Sequence, residues 1–218
     1  MQKKEEIPNV LKAIETRRSI RKYLSLPVEF EKVGHILDAG RMAPSAGNLQ
    51  PWKFILVMEA GQRLEVAEAC LQQHWMAQAP VNIVVCGEPA KSERYYAKKG
   101  ERYATLDAAA AVQNMLLAAH GLGLGACWVS AFDDHMLRKV CDIPEDVLPV
   151  AVVTLGYADE KPVKPLKFEL HNVVFFSHYN NRVKDIAEVF GTYSTYVAKA
   201  LKTAREWAEN ALKKMQKV

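Results

Sequence analysis

The chain has 218 residues, 50% hydrophobic and 25% charged, which suits one α/β domain with a substantial core and is short for two. Its formal net charge of +4 comes from bases spread along the chain with acids between them, a pattern that favours anionic small ligands over a nucleic-acid partner. Cys70, Cys86, Cys127 and Cys141 stand far apart among apolar neighbours with no C-x-x-C pair, which argues against a disulfide framework or a zinc site and for a cytoplasmic protein with reduced thiols. The charged start, Met1–Glu6, lacks the apolar core of a secretory signal, and no run approaches the roughly 20 apolar residues of a membrane span.

In chain order, Pro8 suits a first helical turn, and Val10, Leu11 and Ile14 give helical apolar spacing as far as Thr16. Arg17-Arg18-Ser19-Ile20-Arg21-Lys22-Tyr23 follows, four cations around one hydroxyl. Guanidinium groups bind phosphate through a forked pair of donors, and serine adds a neutral one; a solvated basic face would show the same composition. Val28 to Met42 is expected to be a helix with Phe30, Val33, Ile36 and Leu37 on one side, and His35 in it is expected to be structural or at the surface. Pro44 and Gly47 end that helix in the polar stretch Pro44-Ser45-Ala46-Gly47-Asn48-Leu49-Gln50-Pro51-Trp52. Ser45, Asn48 and Gln50 offer the mixed donors and acceptors that the edge of a heteroaromatic ring needs, although a plain turn would use the same residues.

Lys53–Met58 is predicted to be a buried central strand, Arg63–Gln78 a helix, and Val81–Cys86 a second strand. Glu88–Arg102, polar with Tyr95, Tyr96 and Tyr103, suggests a surface helix or loop that could cover a pocket. Asp107–His120 is alanine-rich and nearly apolar all round, the composition of a central or interfacial helix. The glycines of Gly121-Leu122-Gly123-Leu124-Gly125 follow a helix and precede a strand, the reverse of a dinucleotide fingerprint, so they mark a helix end and connector. A strand over Ala126–Val129, a short helix over Phe132–Val140, a strand over Leu148–Tyr157 and a last strand at Val173–Phe176 complete the pattern, with Lys161, Lys164 and Lys167 in an extended tail before the last.

Arg17–Tyr23, Pro44–Trp52, Asp107–Ala119, Gly121–Asp133 and Gly156-Tyr157 with its Lys/Pro tail, in this order, resemble the FMN-dependent nitroreductase family over residues 8–180. The resemblance implies an α+β fold, a central and mostly antiparallel sheet surrounded by helices, in an intertwined homodimer with FMN at its interface. It implies that Arg17, Ser19 and Arg21 hold the FMN phosphate and ribityl chain with Arg18 close by. Pro44, Ser45 and Asn48 match the segment that reaches the flavin from the other subunit, and Gln50 lies beside them. Trp128, Val129, Ser130 and Ala131 match the segment against the isoalloxazine, with a backbone N–H of Ser130 or Ala131 toward the ring. Lys167 and Lys164 match the basic residue that completes the phosphate site.

No catalytic side chain and no metal are expected, because a flavin carries the chemistry and the protein binds and tunes it. NADH or NADPH would reduce it, and a nitroaromatic, a quinone or a related small-molecule acceptor would take the same place in a ping-pong sequence. A flavin carrier or sensor without turnover, or a relative with other flavin chemistry such as reductive dehalogenation, are the rival readings. Residues 180–218 form an extension beyond the 1–179 domain, where Val197, Leu201, Ala204, Ala208, Ala211 and Met215 give a helical stripe suited to dimer packing.

Overall fold

The computed structural model describes residues 9–182 and Lys202; the other residues of the expected C-terminal helix lie outside the described part. The chain divides into two compact units, Met1–Lys164 and Pro165–Val218.

In the first unit, four antiparallel strands form one sheet: β1 (Trp52–Val57), β2 (Val81–Gly87), β3 (Gly125–Val129) and β4 (Leu148–Gly156), in the order β1-β2-β4-β3. The helices are α1 (Val10–Thr16), α2 (Phe30–Arg41), α3 (Ala60–Ala69), α4 (Pro89–Tyr96), α5 (Gly100–Gly121) and α6 (Asp134–Cys141). Strand β2 is buried along its whole length, which is why its sequence is apolar apart from Asn82. Its residues alternate between two cores. Ile83 and Val85 pack with Val33 and Ile36 of α2 and Val112 and Met115 of α5. Val84 and Cys86 pack on the other face with Val66 and Ala67 of α3 and Leu137 of α6. Each face buries apolar side chains worth about 1.5–3 kcal/mol apiece, so the sheet is held from both sides.

Several boundaries differ from the sequence expectation. Strand β1 is an edge strand, not a central one; its run is apolar because half-buried Phe54, Ile55 and Leu56 still pack on the cores. The expected helix over Arg63–Gln78 is broken: α3 stops at Ala69, Leu71 and Gln72 take left-handed backbone angles, and a 3-10 turn covers His74–Gln78. Leu64 of α3 is 48% exposed, while Val66 and Ala67 are fully buried. Phe30 also faces out, at 72% exposure, while Val33 and Ile36 are fully buried. Helix α5 starts at Gly100, seven residues before its alanine-rich part, because the polar Glu101 and Arg102 occupy exposed positions of its first turns.

The second unit has a short helix α7 (Leu170–Val173), and Val174–Phe176 are not a strand. Among the described residues no helix is long and apolar enough to cross a membrane, and no group of His, Cys, Asp or Glu is arranged to hold a metal ion.

Candidate functional site

Helix α1 ends where the basic segment begins. Its first turn is capped by the Asn9 side chain, which accepts from the Lys12 N–H at 2.9 Å. At the other end Arg18 turns back and donates from Nη1 to the carbonyls of Glu15 (2.9 Å) and Arg17 (2.7 Å), covering acceptors the helix leaves open. From there the chain crosses the edge of the sheet. Ser19 bridges Ala126 of β3, the Ile20 N–H donates to the Ala126 carbonyl at 3.0 Å, and the Leu24 N–H donates to the Tyr157 carbonyl at 2.9 Å. Tyr23 is buried; its hydroxyl donates to the Ile20 carbonyl (2.6 Å) and accepts from Thr154 (2.7 Å), and burial holds its pKa above the usual phenol value.

What lets the segment lie so close to the sheet is a pair of glycines. Gly125 and Gly156 are cross-strand partners in β3 and β4. A Cβ on Gly125 would stand 2.9 Å from Ile20 Cβ, and one on Gly156 2.8 Å from Tyr23 Cδ1 and 2.7 Å from Pro80 Cδ. The two missing side chains form a saddle into which Ile20 and Tyr23 fit. An acidic pair from the tail after β4 fastens the outer side: Glu160 Oε1 accepts from the backbone N–H of Arg21 (2.5 Å) and Lys22 (3.1 Å), and Asp159 pairs with Lys22 Nζ at 2.9 Å.

Arg17, Ser19 and Arg21 alternate along this segment, and all three act on the same buried thiol. Burial raises the Cys127 pKa, while neighbouring Arg21, Ser19 and Arg17 oppose the rise. The Arg21 guanidinium lies 5.9 Å from the centroid of the Trp75 ring. Among the described residues no hydrogen bond or ion pair holds the Arg17 guanidinium.

Beside this segment opens a cleft of about 490 Å³. Arg17, Arg18 and Lys161 line it together with His120, over an apolar floor that includes Ile20, Leu116 and Leu124; among the described residues no carboxylate lines it. His120 is half-buried near the end of α5. Its Nε2 lies 2.8 Å from Thr16 Oγ1, whose own proton goes to the Lys12 carbonyl at 2.6 Å, so Nε2 is the donor. Burial, then the charges of Arg17 and Arg18, lower the His120 pKa. A histidine with a lowered folded pKa adds stability that is complete above its unfolded value and is lost as pH falls. His120→Gln, which keeps a donor for Thr16, should therefore lose less stability than the wild type below about pH 6.5; thermal melts of both proteins across pH 5–8 check this. Parallel pH profiles would contradict it.

The remaining nominated residues fall in three places. Lys164 pairs with Glu15 of α1 at 3.8 Å, near the cleft but outside its lining. Lys167 belongs to the second unit. Trp128 and Val129 end β3, and Ser130 and Ala131 follow it. Trp128 Nε1 donates to Ser130 Oγ at 2.6 Å, and that hydroxyl donates to the Val150 carbonyl at 3.1 Å, so both side chains are engaged. The Ala131 carbonyl accepts from Gln73 at 3.4 Å, while among the described residues no partner takes the N–H of Ser130 or Ala131. Pro44, Ser45, Asn48 and Gln50 stand apart, in a loop against the N-terminal half of α5, where the Ala46 N–H donates to Asp107 Oδ1 at 3.0 Å. Asp107 and His120 are separated by about 20 Å of helix at 1.5 Å per residue. Thr16 and His120 were given no role from the sequence, and Lys161 was noted there only as a basic residue of the extended tail; its signal was its place as the first basic residue after the Gly156 turn.

Residues 14–157 match the model of the nitroreductase family. The chain belongs to that family. A relative in Methanothermobacter thermautotrophicus named "Putative NADH dehydrogenase/NAD(P)H nitroreductase" is 39% identical over 158 residues, 71% of this chain and 80% of that protein. A Bacillus subtilis protein named FMN reductase [NAD(P)H] is 28% identical over 171 residues, 72% of this nitroreductase-family chain and 69% of the relative. The solved structure of the NADPH:FMN oxidoreductase from Vibrio harveyi complexed with NAD+ superposes with a TM-score of 0.73 at 23% identity, covering 88% of this chain and 86% of that one, and shares the fold.

Proposed function

We propose that this member of the nitroreductase family is an NAD(P)H-dependent flavin oxidoreductase, active as a homodimer, that binds FMN and reduces nitroaromatics, quinones or related conjugated acceptors. The observation that carries the reading is the cleft beside the basic segment, where Arg17, Arg18 and Lys161 converge and, among the described residues, no carboxylate competes. A phosphate monoester carries about −1.5 to −2 charges at neutral pH, which this donor set suits. Arg17, Ser19 and Arg21 would hold the phosphate and ribityl chain, with Arg18, Lys161 and Lys164 adding charge around them; Lys167 is nominated by family resemblance alone.

When bound, FMN supplies the hydride chemistry between nicotinamide and acceptor. The chain's own contribution is binding, orientation and the stabilisation of charge. The N–H groups of Ser130 and Ala131 would donate to the ring edge, and the Trp128–Ser130–Val150 bonds keep that turn in place. One exposed ring face would serve reductant and acceptor in turn, so the oxidised nicotinamide leaves before the acceptor enters, a ping-pong order.

Two features support the dimer. The Pro44–Gln50 loop meets α5 at Asp107 and the basic segment meets it near His120, about 20 Å along the helix, a spacing that favours their serving different flavins. A second copy can supply the missing half. An apolar groove of about 480 Å³ between α1, α2 and α5, lined by Val10, Met42, Leu117 and Leu122, offers surface for such a copy, and Leu11 and Ile14 on the same helix are 78% and 54% exposed.

The test is an absorbance spectrum of the purified protein under anaerobic conditions. A flavin band that bleaches with NADH or NADPH and returns on adding a nitroaromatic or quinone is the expected result. A flavin band that neither reagent changes would leave a carrier or sensor, and no band after FMN addition would overturn the reading of the cleft.

A further inference from the structure

Helix α5 fills its buried face with Ala104, Ala108, Ala111, Val112 and Met115, and one acid interrupts it. Asp107 is only 7% exposed. Its Oδ1 accepts from the Ala46 N–H at 3.0 Å, and its Oδ2 is buried without a partner among the described residues. Alanine would fill this position as it fills three of its neighbours, and would avoid the cost of burying a carboxyl with one oxygen unsatisfied. What alanine lacks is an acceptor for the loop.

The loop needs one. Gly47, Asn48 and Gln50 have φ of +58°, +57° and +50°, left-handed angles that side chains disfavour, with Leu49 at −76° between the last two. Inside the loop Ser45 Oγ accepts from the Gln50 N–H at 3.1 Å, and the Ser45 carbonyl accepts from the Asn48 N–H at 3.0 Å. These bonds shape the loop but do not attach it to the sheet-and-helix body. Asp107 does so from below, and Tyr96 bounds it from the α4 side, where its hydroxyl lies 2.9 Å from the position of a Cβ on Gly47.

We propose that Asp107 is the positioning residue of the 44–50 loop: by holding the Ala46 N–H it sets where Ser45 and Asn48 stand, and so how tightly the surface they present binds flavin. The inference rests on the proposed function for the identity of the ligand. Asp107 acts through the loop and touches no ligand itself.

Two measurements test it on the full chain. Asp107→Ala should weaken FMN binding by about tenfold or more, the usual penalty for leaving a buried donor unpaired, and Asp107→Asn, which keeps the Oδ1 acceptor, should restore most of it. Equal affinity in all three proteins, or failure of asparagine to rescue, would overturn the assignment. Amide exchange needs neither cofactor nor variant: in the wild type the Ala46 N–H should exchange far more slowly than that of exposed Gly47, and equal rates would overturn the proposal. A wild type that takes up no FMN would instead overturn the proposed function, and the exchange experiment would still decide what Asp107 does to the loop.

Discussion

Arg17→Ala is expected to weaken FMN binding by roughly 10- to 100-fold while leaving the fold intact, because a hydrogen bond to a charged group contributes about 1.5–3 kcal/mol. Arg17 is half-buried in the cleft, and among the described residues no carboxylate lines that cleft and no internal partner holds the guanidinium. Arg18 cannot take its place. It already donates to two carbonyls at the end of α1, and moving it would uncover them. Arg17→Lys should recover only part of the loss, since a point charge replaces a planar fork. Titration of the apoprotein with FMN at fixed salt, followed by flavin fluorescence, measures both. An unchanged dissociation constant for the alanine variant would mean that the phosphate sits elsewhere.

Gly156→Ala should cost about 1–3 kcal/mol in urea unfolding, the range for overpacking a core that cannot yield. The added methyl would meet Pro80 Cδ at 2.7 Å and Tyr23 Cδ1 at 2.8 Å, and neither ring has a free rotamer to retreat into: Tyr23 is pinned through its hydroxyl to Ile20 and Thr154. Relief would come from lifting the Arg17–Tyr23 segment off the sheet. FMN affinity should therefore fall along with stability, although Gly156 lines no part of the cleft. Gly125→Ala presses on Ile20 in the same segment, so the double variant should lose an amount different from the sum of the singles. Stability and affinity both unchanged in Gly156→Ala would show that the saddle is not what seats the segment.

Strands β2 and β4 and the alanine-rich part of α5 were legible in the sequence, because the strands are apolar runs interrupted only by Asn82 and Thr154 and the helix has one composition throughout. Strand β1 has the same apolar look, but a run of that kind reports burial by neighbouring layers, and edge or centre depends on pairing partners remote in sequence. The break after α3 was hidden for a related reason: Leu71 and Gln72 have no intrinsic preference for the left-handed angles they adopt, so local composition did not announce the stop. At the site, the cationic segment and the polar loop stood out as clusters of residues. The glycine saddle did not, since Gly125 and Gly156 are 31 positions apart and each alone suits a turn. Asp107 looked like the start of a helix until α5 was seen to begin seven residues earlier, which moves the acid into a buried middle turn.

The length of α5 has a genetic consequence. If the loop beside Asp107 serves the partner's flavin and the cations near His120 serve the chain's own, then an Arg17→Ala chain and a chain damaged only in the 44–50 loop are defective in different halves of the site. At FMN concentrations that fill wild-type sites but not the weakened ones, each would be almost inactive as a homodimer. Mixed and reassembled in equal amounts, half the dimers would pair one of each, joining an intact cationic segment to an intact loop at one position and both lesions at the other. About a quarter of the wild-type sites would return from two parents that have almost none, the arithmetic of intersubunit complementation in a twofold dimer.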